Sequence, residues 1–278
     1  MPDVACLNGQ FSSLAQARVS VNDRGFMFGD GVYEVVRTYG GIPFGLDHHL
    51  DRLERSLKEV RISPTWTRNG LISWVEQAVA RADYADAKIY MQVTRGVAPR
   101  DHVFPKVPPT TLITVTEIHP LPDGLRENGA ALITTPDIRW GRCDIKSLNL
   151  LPNVMARQAA LEAGAFEAIF IEHGTGNVRE GAGSNVFAVI DGTVVTPDLG
   201  PHLLAGITRA HLLEVANSLG LPTAERTLNA DDLYAADEVF LTGTTIDVVA
   251  AVQIDGRAVG KGVPGPVTRQ LAAAFPPG

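Results

Sequence analysis

The 278-residue chain is 45% apolar and 20% charged with a net charge of −7, the balance of a globular protein long enough for about two domains, each with its own core. No run approaches the ~18 apolar residues of a membrane span, no cluster of Lys and Arg suits nucleic acid or an anionic membrane, and Cys6 and Cys143 are too few for a disulfide framework or a zinc site. The first twenty residues carry neither the basic nor the apolar region of a secretory leader, so the cytoplasm is the expected compartment.

In chain order, Arg24-Gly25-Phe26-Met27-Phe28-Gly29-Asp30-Gly31 reads as a glycine-punctuated loop. Val32 to Tyr39 follows as a strand, β-branched and aromatic, ended by Gly40-Gly41. Period-two geometry puts Tyr33, Val35 and Arg37 on one face, where Tyr33 reads as an ordinary packed tyrosine. Leu46, Leu50, Leu53, Leu57 and Val60 step by four and three, with Asp47 near the start, which predicts a helix. Arg52 lies off that stripe and belongs by pattern to the solvated face, although an arginine can equally hold a phosphate by two prongs. A second helix is expected over Arg68 to Ala82, then strands over Lys88 to Arg95 and Thr110 to Ile118. In the loop between those strands, Arg100 and His102 are surface residues taken singly. As a pair they could grip a carboxylate.

His119-Pro120-Leu121-Pro122-Asp123-Gly124 breaks both periodicities and predicts a linker, dividing the chain into domains at 1–118 and 125–278 with 119–124 between. Beyond it a strand runs from Ala130 to Thr135. The stretch Arg142-Cys143-Asp144-Ile145-Lys146-Ser147-Leu148-Asn149-Leu150-Leu151-Pro152 then sets one lysine among apolar neighbours, ahead of a proline suited to open a helix. Most lysines are solvated surface charges. One held among Ile145, Leu148 and Leu150 is partly desolvated, which lowers its pKa toward the range where a neutral amine attacks a carbonyl.

An alanine-rich helix from Asn153 to Ala163 follows, stopped by Gly164, then strands over Phe166 to Ile171 and Asn185 to Ile190. Asp191-Gly192 and Asp255-Gly256 signal tight hairpins, and helices are expected at Thr208 to Leu219 and near the C-terminus. Three segments look like pieces of one site. Glu180 precedes the small-residue loop Gly181-Ala182-Gly183-Ser184, Gly206-Ile207-Thr208-Arg209 opens a helix whose free N–H groups suit an anion, and Thr242-Gly243-Thr244-Thr245 is a turn that can nest a phosphate. Each has a duller reading, with Glu180 facing solvent, Thr208 capping its helix and the threonines forming a plain turn.

The strings Arg24-Gly25 with Phe28-Gly29-Asp30-Gly31-Val32-Tyr33-Glu34-Val35-Val36, Val93-Thr94-Arg95-Gly96, Pro99-Arg100 with His102, Asp144-Ile145-Lys146-Ser147-Leu148-Asn149-Leu150-Leu151, Glu180-Gly181 with Ser184-Asn185-Val186-Phe187, and Gly206-Ile207-Thr208-Arg209 resemble the bacterial D-amino-acid transaminases. These are class IV, fold type IV enzymes that use pyridoxal 5′-phosphate, and the likeness runs in order over nearly the whole chain. It implies an α+β and α/β architecture, with a small α/β N-terminal domain, a larger C-terminal pseudobarrel carrying the lysine, a cofactor between them, and a homodimer. It also implies roles. Lys146 matches the lysine that binds the cofactor and moves the proton of the substrate Cα, and Glu180 matches the carboxylate facing the pyridine nitrogen. Arg52, Thr208 and Thr244, with the Ile207 backbone and Gly243 beside them, match the phosphate cup, while Tyr33, Arg100 and His102 match the trap for the substrate carboxylate.

Ala182, Gly183 and Gly243 stand where better-known members carry serines, which removes side-chain contacts to the cofactor and leaves backbone donors. The longer side chain often found at Ala205 is missing too. A branched-chain L-aminotransferase, an (R)-amine transaminase or an aminodeoxychorismate lyase would keep Lys146 and Glu180, and Arg100 with His102 speaks against these. A noncatalytic phosphate-binding module is the alternative of another class.

Overall fold

The structure, a computed structural model, describes residues 3–275. It divides into two compact units, the chain up to His119 with Ile145–Asn149, and Pro120–Asp144 with Leu150 onward. The outer limits of the expected domains, residues 1 and 278, lie outside the described residues.

The first unit contains β1 (Val4–Leu7), β2 (Gln10–Ser13), α1 (Arg24–Phe28), β3 (Gly31–Tyr39), β4 (Ile42–Pro43), α2 (Leu46–Glu59), α3 (Arg68–Ala82), β5 (Ala87–Thr94) and β6 (Thr110–Glu117). The strands form one sheet in the order β2-β1-β6-β5-β3-β4, and every pairing is antiparallel. Antiparallel strands need no crossover helix, so α2 and α3 can pack on one face and leave the other open. Leu50, Leu53 and Leu57 of α2 join Leu71 and Val75 of α3 against Val36, Ile89, Met91 and Val115 of the sheet. Each such leucine contributes about 1.5–3 kcal/mol by burial. The alternation along β3 follows, with Val32, Glu34, Val36 and Thr38 buried and Tyr33, Val35, Arg37 and Tyr39 half-open.

Two readings change here. Residues 24–28, expected as loop, are a short helix, because Asp23 caps it by accepting from the Gly25 N–H at 2.8 Å and Gly29 ends it with a left-handed φ of 65°. Ile145–Asn149, the middle of the lysine stretch expected with the second domain, falls in the first unit, while the residues on either side stay in the second. The backbone of that middle pairs with β3 beyond the reach of the short β4, with the Tyr33 N–H donating to the Lys146 carbonyl at 2.9 Å and the Leu148 N–H to that of Gly31 at 3.0 Å.

The second unit contains α4 (Leu125–Asn128), β7 (Ala130–Pro136), α5 (Leu151–Glu162), β8 (Glu167–Ile171), β9 (Val178–Gly181), β10 (Asn185–Ile190), β11 (Thr193–Thr196), α6 (Ile207–Ser218), β12 (Thr223–Glu225), α7 (Ala230–Ala235), β13 (Glu238–Gly243), β14 (Asp247–Ile254), β15 (Arg257–Ala258) and α8 (Pro266–Ala274). Its nine-stranded mixed sheet runs β12-β11-β10-β13-β14-β7-β8-β9, with β15 paired to β14. Only Ala182–Ser184 separate β9, at one edge, from β10, third from the other, and the Gly181 N–H donates to the Ser184 carbonyl at 2.8 Å. So short a link forces the sheet to curl back on itself, which is the pseudobarrel. Asp191 and Asp255, with φ of 49° and 50°, and the glycines after them, with 74° and 76°, make the two expected hairpins. Among the described residues no helix is long and apolar enough to cross a membrane.

Candidate functional site

The functional residues fall into two groups, one on each unit. On the first, Ser147 bridges Val32 of β3, so the lysine lies along the strand that carries Tyr33. Gly31 permits that approach, because a Cβ there would meet the Val93 carbonyl at 2.6 Å and the Leu148 side chain at 2.9 Å. The Lys146 Nζ sits 4.5 Å from the centre of the Tyr33 ring, and Ile145 beside it is 5% exposed. Tyr33 is half-buried. Its ring lies 5.6 Å from that of Tyr90, whose hydroxyl donates to Gln92 at 2.6 Å. Burial and then the neighbouring Tyr33 push the Tyr90 pKa up to about 12, which keeps its proton in place.

On the covered face of β3, Glu34 is fully buried. Arg52 clasps it by two prongs, Nε at 2.7 Å and Nη2 at 2.9 Å, while His49 Nδ1 lies 2.7 Å from the same carboxylate. Burial would raise the Glu34 pKa, but Arg52 outweighs it and holds it at about 2. Burial lowers that of His49. Arg52, assigned by its stripe to the solvated face, is thus only 7% exposed, because β3 supplies the carboxylate that a helical pattern cannot show. Arg100 and His102 are exposed on the loop after β5, and both lie near Phe28, with the Arg100 guanidinium carbon 4.9 Å and the His102 ring 5.5 Å from its centre.

On the second unit Glu180 is 6% exposed and does not face solvent. One of its oxygens meets Arg139 Nη1. The other accepts from the Leu204 N–H at 2.9 Å and the Asn185 amide at 3.3 Å. Arg139 is itself clamped by Asp137 at 2.8 and 3.0 Å and stacks over Phe170 at 4.2 Å. Burial works against the Arg139 charge, but the Asp137 and Glu180 carboxylates outweigh it and raise its pKa.

The same Asn185 amide donates to the Leu204 carbonyl at 2.9 Å, which ties Glu180 to the turn leading into α6. Gly206 is the N-cap of that 12-residue helix, with no side chain capping it. Thr208 therefore does not cap the helix; it lies in the first turn beside Ile207, with the first N–H groups. A Cβ on Gly206 would come within 2.0 Å of the Asn185 side-chain oxygen. Thr242 is the cross-strand partner of Asn185, hence on the same face, and its buried hydroxyl has no hydrogen-bond partner among the described residues. Gly243 ends β13 and Thr244 begins the turn to β14; a Cβ on Gly243 would lie 3.5 Å from the Gly183 carbonyl.

Taken unit by unit, these features suit separate parts of pyridoxal 5′-phosphate. An uncapped helix start beside an orphaned hydroxyl suits a phosphate, a fixed buried carboxylate suits a protonated ring nitrogen, and a half-buried lysine suits an aldehyde. Sequence reasoning missed Glu34, His49, Tyr90, Arg139 and Asn185. The signal for Glu34 was there, since a charge at a buried position of an alternating strand requires a partner.

The family model described as Amino-transferase class IV matches residues 31–254. The D-alanine aminotransferase of Bacillus licheniformis is 42% identical over 268 residues, 96% of this chain and 94% of that protein. That of Staphylococcus aureus strain COL is 41% identical over 271 residues, 97% and 95% respectively. Among solved structures, the Escherichia coli branched-chain amino acid aminotransferase superposes with a TM-score of 0.92 at 27% identity, covering 99% of this chain and 94% of that one. The T.th. branched-chain amino acid aminotransferase, solved with pyridoxamine 5′-phosphate, gives 0.90 at 30% identity, with coverages of 98% and 92%.

Proposed function

We propose, from the premise that this chain belongs to the class IV aminotransferases, that it moves the amino group between D-amino acids and 2-oxo acids, with D-alanine and 2-oxoglutarate giving pyruvate and D-glutamate as the reference reaction. Bound pyridoxal 5′-phosphate supplies a carbonyl carbon for the amino group and a ring that takes up the electrons released at the substrate Cα.

The chain's residues do the rest. Lys146 supplies the amine that holds the cofactor and carries the proton to and from Cα. Glu180, fixed on both oxygens, would face the ring nitrogen and favour its protonated form. The start of α6, with Ile207 and Thr208, and the turn at Gly243 and Thr244 hold the phosphate, with Arg52 as their cationic partner. Tyr33, Arg100 and His102 bind the substrate carboxylate, so that only one enantiomer turns its Cα–H toward Lys146. The working form is a homodimer in the cytoplasm. Its mass is checked by light scattering, and a monomer at working concentration rejects that part.

The observation that carries the D assignment is the Arg100 and His102 pair in a chain 42% identical to a D-alanine aminotransferase. The TM-score of 0.92 favours a second reading, a branched-chain L-aminotransferase. Adding D-alanine and L-alanine separately to the holoenzyme and following the cofactor absorbance decides between them. D-Alanine shifts the band, and a shift with the L enantiomer alone overturns the assignment. Lys146→Ala abolishes turnover and keeps cooperative unfolding; retained turnover rejects the lysine's role.

A further inference from the structure

Arg24 opens α1 yet is only 3% exposed, and its guanidinium reaches in three directions. Nε donates to Asp30 at 2.7 Å, Nη1 to the Asp101 carbonyl, and Nη2 to the His102 carbonyl at 3.5 Å. Its carbon lies 4.9 Å from the centre of Phe28, the ring that Arg100 and His102 also lie near. The Asp30 oxygen that accepts from Arg24 also accepts from Arg95 Nε at 2.9 Å, and Arg95 donates onward to the Val60 carbonyl at 2.8 Å. The backbones are joined as well, the Arg24 N–H to the Gly96 carbonyl at 2.9 Å and the Arg95 N–H to that of Asp30 at 3.0 Å. The segment from Pro99 to His102 has no regular structure and its side chains are exposed. Its carbonyls nevertheless end on a buried cation.

We propose that Arg24, fixed by Asp30, is a positioning residue that holds the Asp101 and His102 carbonyls and so sets the backbone from which Arg100 and His102 present their side chains to the substrate α-carboxylate. The proposal rests on the reading of that pair as the carboxylate trap. A planar fork is required. A lysine, one compact charge on a flexible stem, cannot reproduce the fixed three-way geometry of the guanidinium.

The test compares steady-state kinetics of the holoenzyme with Arg24→Met, Arg24→Lys, Arg100→Met and the double variant Arg24→Lys with Arg100→Met. Each Arg24 variant raises the KM for D-alanine about tenfold, the scale of one charge-assisted hydrogen bond, and changes kcat far less. The double variant has a KM penalty smaller than the product of the two single penalties, because Arg24 acts in part through the Arg100 side chain and in part through that of His102. Titration of the apoenzyme with pyridoxal 5′-phosphate gives the same dissociation constant for Arg24→Lys as for the parent. If Arg24→Met does not fold, Arg24→Lys decides alone. An unchanged KM in folded Arg24→Lys, or penalties that multiply in the double variant, overturns the proposal. An unchanged KM in Arg100→Met overturns the carboxylate trap itself, and with it this role for Arg24.

Discussion

Glu34 and Arg52 show how much can hang on one buried pair. The carboxylate has no access to water, and two nitrogens of one guanidinium satisfy it. Removing the cation leaves an uncompensated buried charge, which costs about 3–5 kcal/mol even though the intact pair adds little net stability. Arg52→Ala is therefore expected to lower the unfolding free energy of the apoprotein by that amount, measured by urea denaturation, quite apart from any loss of phosphate affinity. A change below about 1 kcal/mol, the size of an exposed pair, would mean that water reaches Glu34. The alternation of β3 marks Glu34 as a charge in need of a partner, but which residue supplies it was not legible. The stripe of α2 orders its leucines correctly and leaves Arg52 outside, and the partner comes from a strand whose distance in space no local pattern encodes.

At the scale of elements, local chemistry was the better guide. α3 runs from Arg68 to Ala82 as its periodicity predicts, since Thr67 caps it and Asp83 ends it with a φ of 53°. α1 escaped notice because glycines next to a cap look like a loop until the Asp23 hydrogen bond is known. The pairing of the lysine stretch with β3 joins segments more than a hundred residues apart, which periodicity cannot show. Gly206 and Gly243 both read in the sequence as candidate-site glycines, but only coordinates separate their demands. Gly206→Ala drives a Cβ into the Asn185 oxygen at 2.0 Å. It is expected to cost about 1–3 kcal/mol as overpacking and to weaken cofactor binding by displacing the amide that holds Glu180. Gly243→Ser meets its nearest neighbours at 3.4 Å or more, so it leaves the melting temperature unchanged. The regained hydroxyl tightens cofactor binding about fivefold, the worth of ~1 kcal/mol. Titrating both apoproteins with pyridoxal 5′-phosphate checks the pair, and equal effects from the two glycines would reject this distinction.

Across the whole molecule, two buried carboxylates, Glu34 in the first unit and Glu167 in the second, answer acid with opposite signs. In the first unit Glu34 titrates at about 2, against an ordinary value of 4.5. The unfolded chain thus takes up the proton first, and the stability this group gives is present above pH 4.5 and lost as the pH falls toward 2. Asp30, opposed by burial but lowered by Arg95 and Arg24, acts in the same direction, and buried His49 begins the loss below its ordinary 6.5. In the second unit burial outweighs Arg157, 3.6 Å away, and raises the pKa of Glu167, one of whose oxygens has no hydrogen-bond partner among the described residues, so there the folded state takes the proton first and acid relieves the cost of an ionised group. Glu172 opposes this, but it lies at the surface and its ion pair is screened by solvent. Hydrogen exchange of the apoprotein at pH 6 and pH 3, corrected for the intrinsic rate, is therefore expected to show amides of β3 and α2 losing protection while those of β8 and β10 keep theirs. Glu34→Gln is less stable throughout, yet the first unit's dependence on pH flattens. Equal loss in both units, or an undiminished slope in Glu34→Gln, would show that acid acts through total charge rather than through these particular carboxylates.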